Sequence, residues 1–176
     1  ALDRADMPNN PNAVTPTIPE GAGGVIEQQR DTTVYSVLDD FLAVLNPLYF
    51  FDDFGWLSWG TIGGDLSYDF GPENSFGFTA SAFNGLYSIP GALSTNTAFD
   101  DLVLDLTGTP AFAVAGNFFA TDFDGITIPA TTTVVLNDGT TVDLTSTSFA
   151  GFASTQQITQ IVISTPDTGI SAWVTV

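Results

Sequence analysis

A chain of 176 residues is long enough for one domain with a sizeable core, and 44% hydrophobic against 12% charged residues argues for a folded chain. Twenty acidic residues face only Arg4 and Arg30, a formal net charge of −18, with no lysine, histidine or cysteine. That inventory excludes a Ser-His-Asp triad, a Cys-His dyad, a Schiff-base lysine and a conventional zinc site, and it makes nucleic acid and anionic membranes poor partners.

Residues 1–30 read as a separate arm. Pro8, Pro11, Pro16 and Pro19 punctuate a stretch rich in Asn, Thr and Ala that ends in Gly21-Ala22-Gly23-Gly24. Proline at this density favours extended backbone, so the arm is expected to lie along its own domain or along a neighbouring subunit. Residues 31–60 follow as a helix and an aromatic segment. Asp31 is placed to cap a helix over 32–45, where Val34, Val37, Leu38, Phe41, Leu42 and Leu45 recur at helical spacing and Asn46-Pro47 stops it. The aromatic run from Leu48 to Trp59, with Asp52 and Asp53 inside it, reads as a buried strand or as a plug at one end of a sandwich.

Residues 61–176 read as strand throughout, in short Val-, Ile-, Thr- and Phe-rich runs bounded by Gly, Pro, Asn and Asp. Strands are expected at 64–70, 75–82, 101–107, 111–121, 148–152, 158–164 and 170–176. A hairpin joins Thr132–Leu136 to Thr140–Leu144 through Asn137-Asp138-Gly139, a type I turn with a G1 bulge. Eight or nine strands at this spacing predict an all-β fold: an antiparallel β-sandwich of jelly-roll type, preceded by a short N-terminal helix and the extended arm. No run reaches the roughly 18 apolar residues that span a bilayer. No basic segment followed by an apolar stretch opens the chain, so a secreted form is expected to have lost its signal peptide.

Asn84-Gly85-Leu86-Tyr87, Leu93-Ser94-Thr95-Asn96, Gly116 to Asp122, Val134 to Thr140 and Ser148 to Phe152 follow in an order that resembles the secreted β-sandwich domain of bacterial PEP-CTERM-type surface proteins, over about 61–165. The resemblance implies export, residence at the cell surface or in the extracellular matrix, and no established enzymatic activity. The Pro-Glu-Pro sorting tail of that family is not found after Trp173-Val174-Thr175-Val176, which implies that it was removed or that export takes another route.

Paired carboxylates are the only general acid/base groups left, and Asp122 and Asp124 share a face if their segment is a strand. Catalysis is nevertheless not expected, because no Glu-x-Asp-x-Glu strand accompanies them. Calcium suits the composition better, since it takes six to eight oxygens. Asp122, Asp124, Asp100 and Asp101 are the candidate metal ligands, against a plain solvated turn as the alternative. Trp56, Trp59 and Tyr87 are candidates for a carbohydrate platform, against burial in the core or under a neighbour.

Two functions from different classes follow. One is an exported structural subunit of a surface or extracellular filament, sheath or layer. It would self-associate through the arm and β-strand addition, with Val14, Thr15, Ile18, Val25 and Ile26 as contacts. The other is a calcium-stabilised carbohydrate-binding module acting as a monomer, with polysaccharide as its partner.

Overall fold

Runs of β-branched and aromatic residues, broken every few positions by Gly, Asp or Asn, leave little backbone choice but short strands. The computed structural model describes residues 31–45, 49–69, 76–145, 148–166 and 169–176. In chain order these hold β1 (Thr32–Tyr35), α1 (Leu38–Leu42), β2 (Gly60–Gly63), β3 (Leu66–Asp69), β4 (Phe76–Ser81), β5 (Leu86–Ile89), β6 (Ala92–Thr95) and β7 (Leu102–Gly108). They continue with β8 (Ala111–Thr121), β9 (Thr127–Ile128), β10 (Thr131–Leu136), β11 (Thr141–Thr145), β12 (Ser148–Ile158), β13 (Gln160–Ser164) and β14 (Trp173–Thr175).

All pairings are antiparallel, and the strands form two sheets. The first runs β1-β12-β8-β14-β6-β5-β2, with β9 also on β8; the second runs β11-β10-β13-β7-β4-β3. This is the expected all-β sandwich. Alternation builds its core: Phe118 of β8, Phe152 of β12 and Val174 of β14 meet Phe78, Leu102, Leu104, Val134 and Ile163 of the other sheet, all buried. The hairpin is as expected. Gly139 N–H donates to the Leu136 carbonyl at 2.9 Å, Leu136 N–H donates to the Thr140 carbonyl at 2.9 Å, and Gly139 sits at φ +81°. That left-handed position is why glycine follows Asn137-Asp138.

The expected helix over 32–45 is corrected. Thr32, Thr33, Val34 and Tyr35 form β1 against β12 instead, and only Leu38–Leu42 is helical. Two threonines, a valine and a tyrosine favour extended backbone, and the free edge of β12 rewards it with ladder hydrogen bonds. Asp31 therefore caps nothing. Val37 occupies the N-cap without a side-chain hydrogen bond, which suits a helix held by packing rather than by propensity.

Phe41 supplies that packing. It is 4% exposed, lies over Gly151 of β12, and meets the rings of Tyr35 at 5.8 Å and Phe149 at 6.0 Å. Its seat on the outer face of the first sheet is made of small residues, since Gly151 and Ala153 pair with Ala115 and Ala113.

The aromatic segment is a plug in part. Phe54 is tied by its N–H to Asp52 Oδ1 at 2.7 Å and packs edge-on against core Phe78 at 6.1 Å. Around it the chain runs over the side of the sandwich where the end strands β2 and β3 lie, leaving several rings exposed.

Candidate functional site

β8 is eleven residues long, but its two edges are not equally used. On one edge β12 pairs from Ala111 to Phe118 and β9 takes Ala120 and Thr121. On the other edge β14 pairs only with Phe119, Ala120 and Thr121. Among the described residues, no strand pairs with that second edge between Ala111 and Phe118.

The direction of the unpaired groups follows from the ladder. Val176 and Leu93 exchange both backbone hydrogen bonds at 2.9 Å, so Val176 and Val174 point toward β6 while Thr175 points toward β8. Thr175 stands opposite Phe119, hence the odd-numbered residues of β8 turn their N–H and C=O toward the second edge. Ala111, Ala113, Ala115 and Asn117 thus present four donor–acceptor pairs that no strand receives among the described residues. Their side chains face outward, because Phe118 and Ala120 of opposite parity are in the core.

An apolar groove of about 670 Å³ runs along this half-edge, lined by every residue from Thr109 to Asn117. Leu38, Phe41, Leu42 and Leu45, on and just after α1, form one wall; Tyr49, Phe50, Phe51, Phe76 and Phe149 complete it. Phe50 stacks flat on Phe76 of the second sheet at 5.5 Å, and Phe51 is 78% exposed. No lining residue carries a charge, in a chain of net charge −18. A strand-shaped, uncharged slot with an open ladder beside it can take an extended apolar segment. It offers backbone hydrogen bonds from one side and side-chain burial from the others.

The expected metal ligands occupy two loops. Asp122 Oδ1 accepts the N–H groups of Asp124 at 3.0 Å and Ile126 at 2.9 Å, which closes the β8–β9 turn. Asp100 accepts from Asn84 N–H at 2.9 Å and from Asn84 Nδ2, clamping the β4–β5 loop. Asp100 and Asp101 line a shallow depression of about 450 Å³ with Phe83 and Phe99. Among the described residues, no three or more Asp, Glu, His or Cys side chains gather as a ligand set.

The expected carbohydrate platform is divided between the two sheets. Trp56 stacks on Tyr68 of β3 at 4.8 Å and donates from Nε1 to the Asp52 carboxylate at 3.1 Å. Trp59 meets Tyr87 of β5 edge-on at 6.4 Å. They are 47% and 63% exposed, so neither is core. Both belong to the plug segment. The expected contact residues Val14, Thr15, Ile18, Val25 and Ile26 lie outside the described residues.

Sequence reasoning missed the groove. Its signal was present in Ala111-Phe112-Ala113-Val114-Ala115-Gly116-Asn117, where one parity is small, but which edge of that strand lacks a partner is a property of the sheet. No family model matches the chain, and neither does a curated protein or a solved structure.

Proposed function

We propose that the protein is a self-associating structural subunit of a cell-surface or extracellular assembly, joined to its neighbours by strand addition. One observation carries this reading: the edge of β8 from Ala111 to Asn117, which no strand pairs among the described residues, bordered by an uncharged apolar groove. A strand added there gains ladder hydrogen bonds and buries exposed rings without any ion pair. That suits a chain with only two basic residues. Export is part of the proposal and rests on the sequence resemblance over about 61–165 alone, and a cysteine-free composition is compatible with it.

Self-repulsion at −18 opposes association, so salt or calcium is required to screen it. Sedimentation of the full chain from about 10 mM to about 0.15 M salt, where the Debye length falls from about 30 to about 8 Å, tests the reading. Assemblies that grow with salt support it; a monomer throughout, with and without calcium, refutes it.

A second reading is favoured by Trp56 and Trp59 standing exposed in one segment. In it the protein is a monomeric carbohydrate-binding module. Polysaccharide binding lost in Trp56→Ala or Trp59→Ala supports it, and no binding across a broad glycan set removes it.

A further inference from the structure

Resting on the self-association reading, we infer that the groove beside β8 is filled by the segment Ala13–Ile18 of a second copy of this chain, as an added strand antiparallel to β8 and in line with β14. Three features of the arm fit this one slot.

The first is parity. In an extended strand, alternate residues share a face and an edge. Val14, Pro16 and Ile18 then lie on one face, and Ala13, Thr15 and Thr17 on the other. Turning the apolar set inward places it beside Gly116, Val114 and Phe112, whose parity is that of core Phe118. The threonines face outward with Ala113 and Ala115. Backbone direction agrees with this choice. Thr15 and Thr17 offer their N–H and C=O to Ala115 and Ala113, which no described strand pairs, while Ala13 turns out of the ladder because Val176 already stands opposite Phe118. Pro16, which has no N–H, points its nitrogen away from β8, where none is needed.

The second is charge. From Asn9 to Pro19 the arm carries no charged residue, and the groove carries none either. These two surfaces meet without adding to the repulsion that the rest of the chain creates.

The third is reach. The thirteen residues from Pro19 to Asp31 include Gly21, Gly23 and Gly24. Fully extended they span about 45 Å. A domain of this size has a radius of gyration of about 15 Å, hence a diameter of roughly 38 Å. Docking in its own groove needs a crossing of about 14 Å, three strand spacings from β1 past β12 and β8 to the added strand. The spacer is long enough to reach a neighbour as well.

The chain has no cysteine, so two introduced cysteines report without background. Full-length Thr15→Cys and full-length Ala115→Cys chains are mixed and oxidised under assembly conditions, with Thr107→Cys replacing the groove cysteine as control. Opposed residues in such a ladder lie within disulfide range. The expected result is a disulfide-linked heterodimer at least tenfold above the control, and covalent ladders from the chain carrying both cysteines. Val14→Asp with Ile18→Asp, outside the described sandwich, is expected to leave the thermal midpoint of the unassembled chain in low salt unchanged while lowering the cross-link under assembly conditions at least tenfold.

An intramolecular bond in the double-cysteine chain with no heterodimer from the mixture overturns the inference, because the arm then fills its own groove. Absence of both bonds at Ala113, Ala115 and Asn117 overturns it as well. Sedimentation of the unmodified chain separates the two claims. Assemblies without the cross-link leave self-association standing and remove this joint, whereas no assemblies remove both.

Discussion

Adding one methyl group at Gly151 tests how α1 is held on the sheet and how the groove wall is built. A Cβ at Gly151 would stand 2.6 Å from Phe41 Cδ2 and 2.8 Å from its Cγ, closer than side chains tolerate. The obstacle is the root of the ring rather than a flexible tip, so Phe41 must leave its seat. Phe41 is 4% exposed, and its release forfeits about 1.5–3 kcal/mol of burial. The ring contacts with Tyr35 and Phe149 add about 0.5–1.5 kcal/mol each. Against this, alanine in a strand interior is favoured over glycine by roughly 0.5–1 kcal/mol. The net expected loss for Gly151→Ala is about 1.5–5.5 kcal/mol. Urea denaturation followed by tryptophan fluorescence reads it as a midpoint lowered by about 1–3 M at an unchanged slope. In a Phe41→Ala background the same substitution is expected to be neutral within about 0.5 kcal/mol, since the two nearest obstacles are gone and Phe149 Cζ stands next at 3.2 Å. Equal costs in both backgrounds would refute the reasoning, as would no cost in the parent.

Gly85→Ala is expected to be among the most damaging single changes. Gly85 sits at φ +85°, and an added Cβ would lie 2.0 Å from the backbone oxygen of Gly63 across the β2–β5 pair, so a loss above about 3 kcal/mol should appear in thermal unfolding. Burial raises the Tyr35 phenol above its ordinary value of 10.0. A folded pKa above the unfolded one gives stability that is present below about pH 10 and lost as pH climbs through the folded value. Tyr35→Phe should therefore shrink the alkaline decline in the unfolding midpoint and leave it unchanged at pH 7. Asp122→Ala removes the acceptor for two backbone N–H groups and is expected to cost about 1 kcal/mol, and an equilibrium melt showing no loss would deny the turn a structural role.

The amino-acid pattern was sufficient for the sandwich, because strand propensity, turn chemistry and alternation all act within a few residues. The long β8 at 111–121 and the Asn137-Asp138-Gly139 hairpin depend on nothing distant, and both were readable directly. Where a distant partner decided, local reading failed. Thr32–Tyr35 carries apolar residues that continue a helical spacing, yet the edge of β12, more than a hundred residues away, draws it into a sheet. Trp56 and Trp59 read more readily as rings in the core or under a neighbour than as a platform, and only the placing of β2 and β3 shows them exposed.

The same division governs the groove. Sequence alone determined that this surface is acidic, that it has almost no cations to pair, and that the Asn9–Pro19 stretch is free of charge. It also determined the parity that sets Val14, Pro16 and Ile18 on one face of an extended strand. Only the tertiary structure decided that β14 stops pairing at Phe119 while β12 continues to Ala111, leaving one side of β8 open among the described residues. A side-chain pattern of period two reports which face of a strand is buried and is silent about its edges. Backbone N–H and C=O groups are the same in every residue but proline, so whether they find a partner is written in the topology and not in the composition.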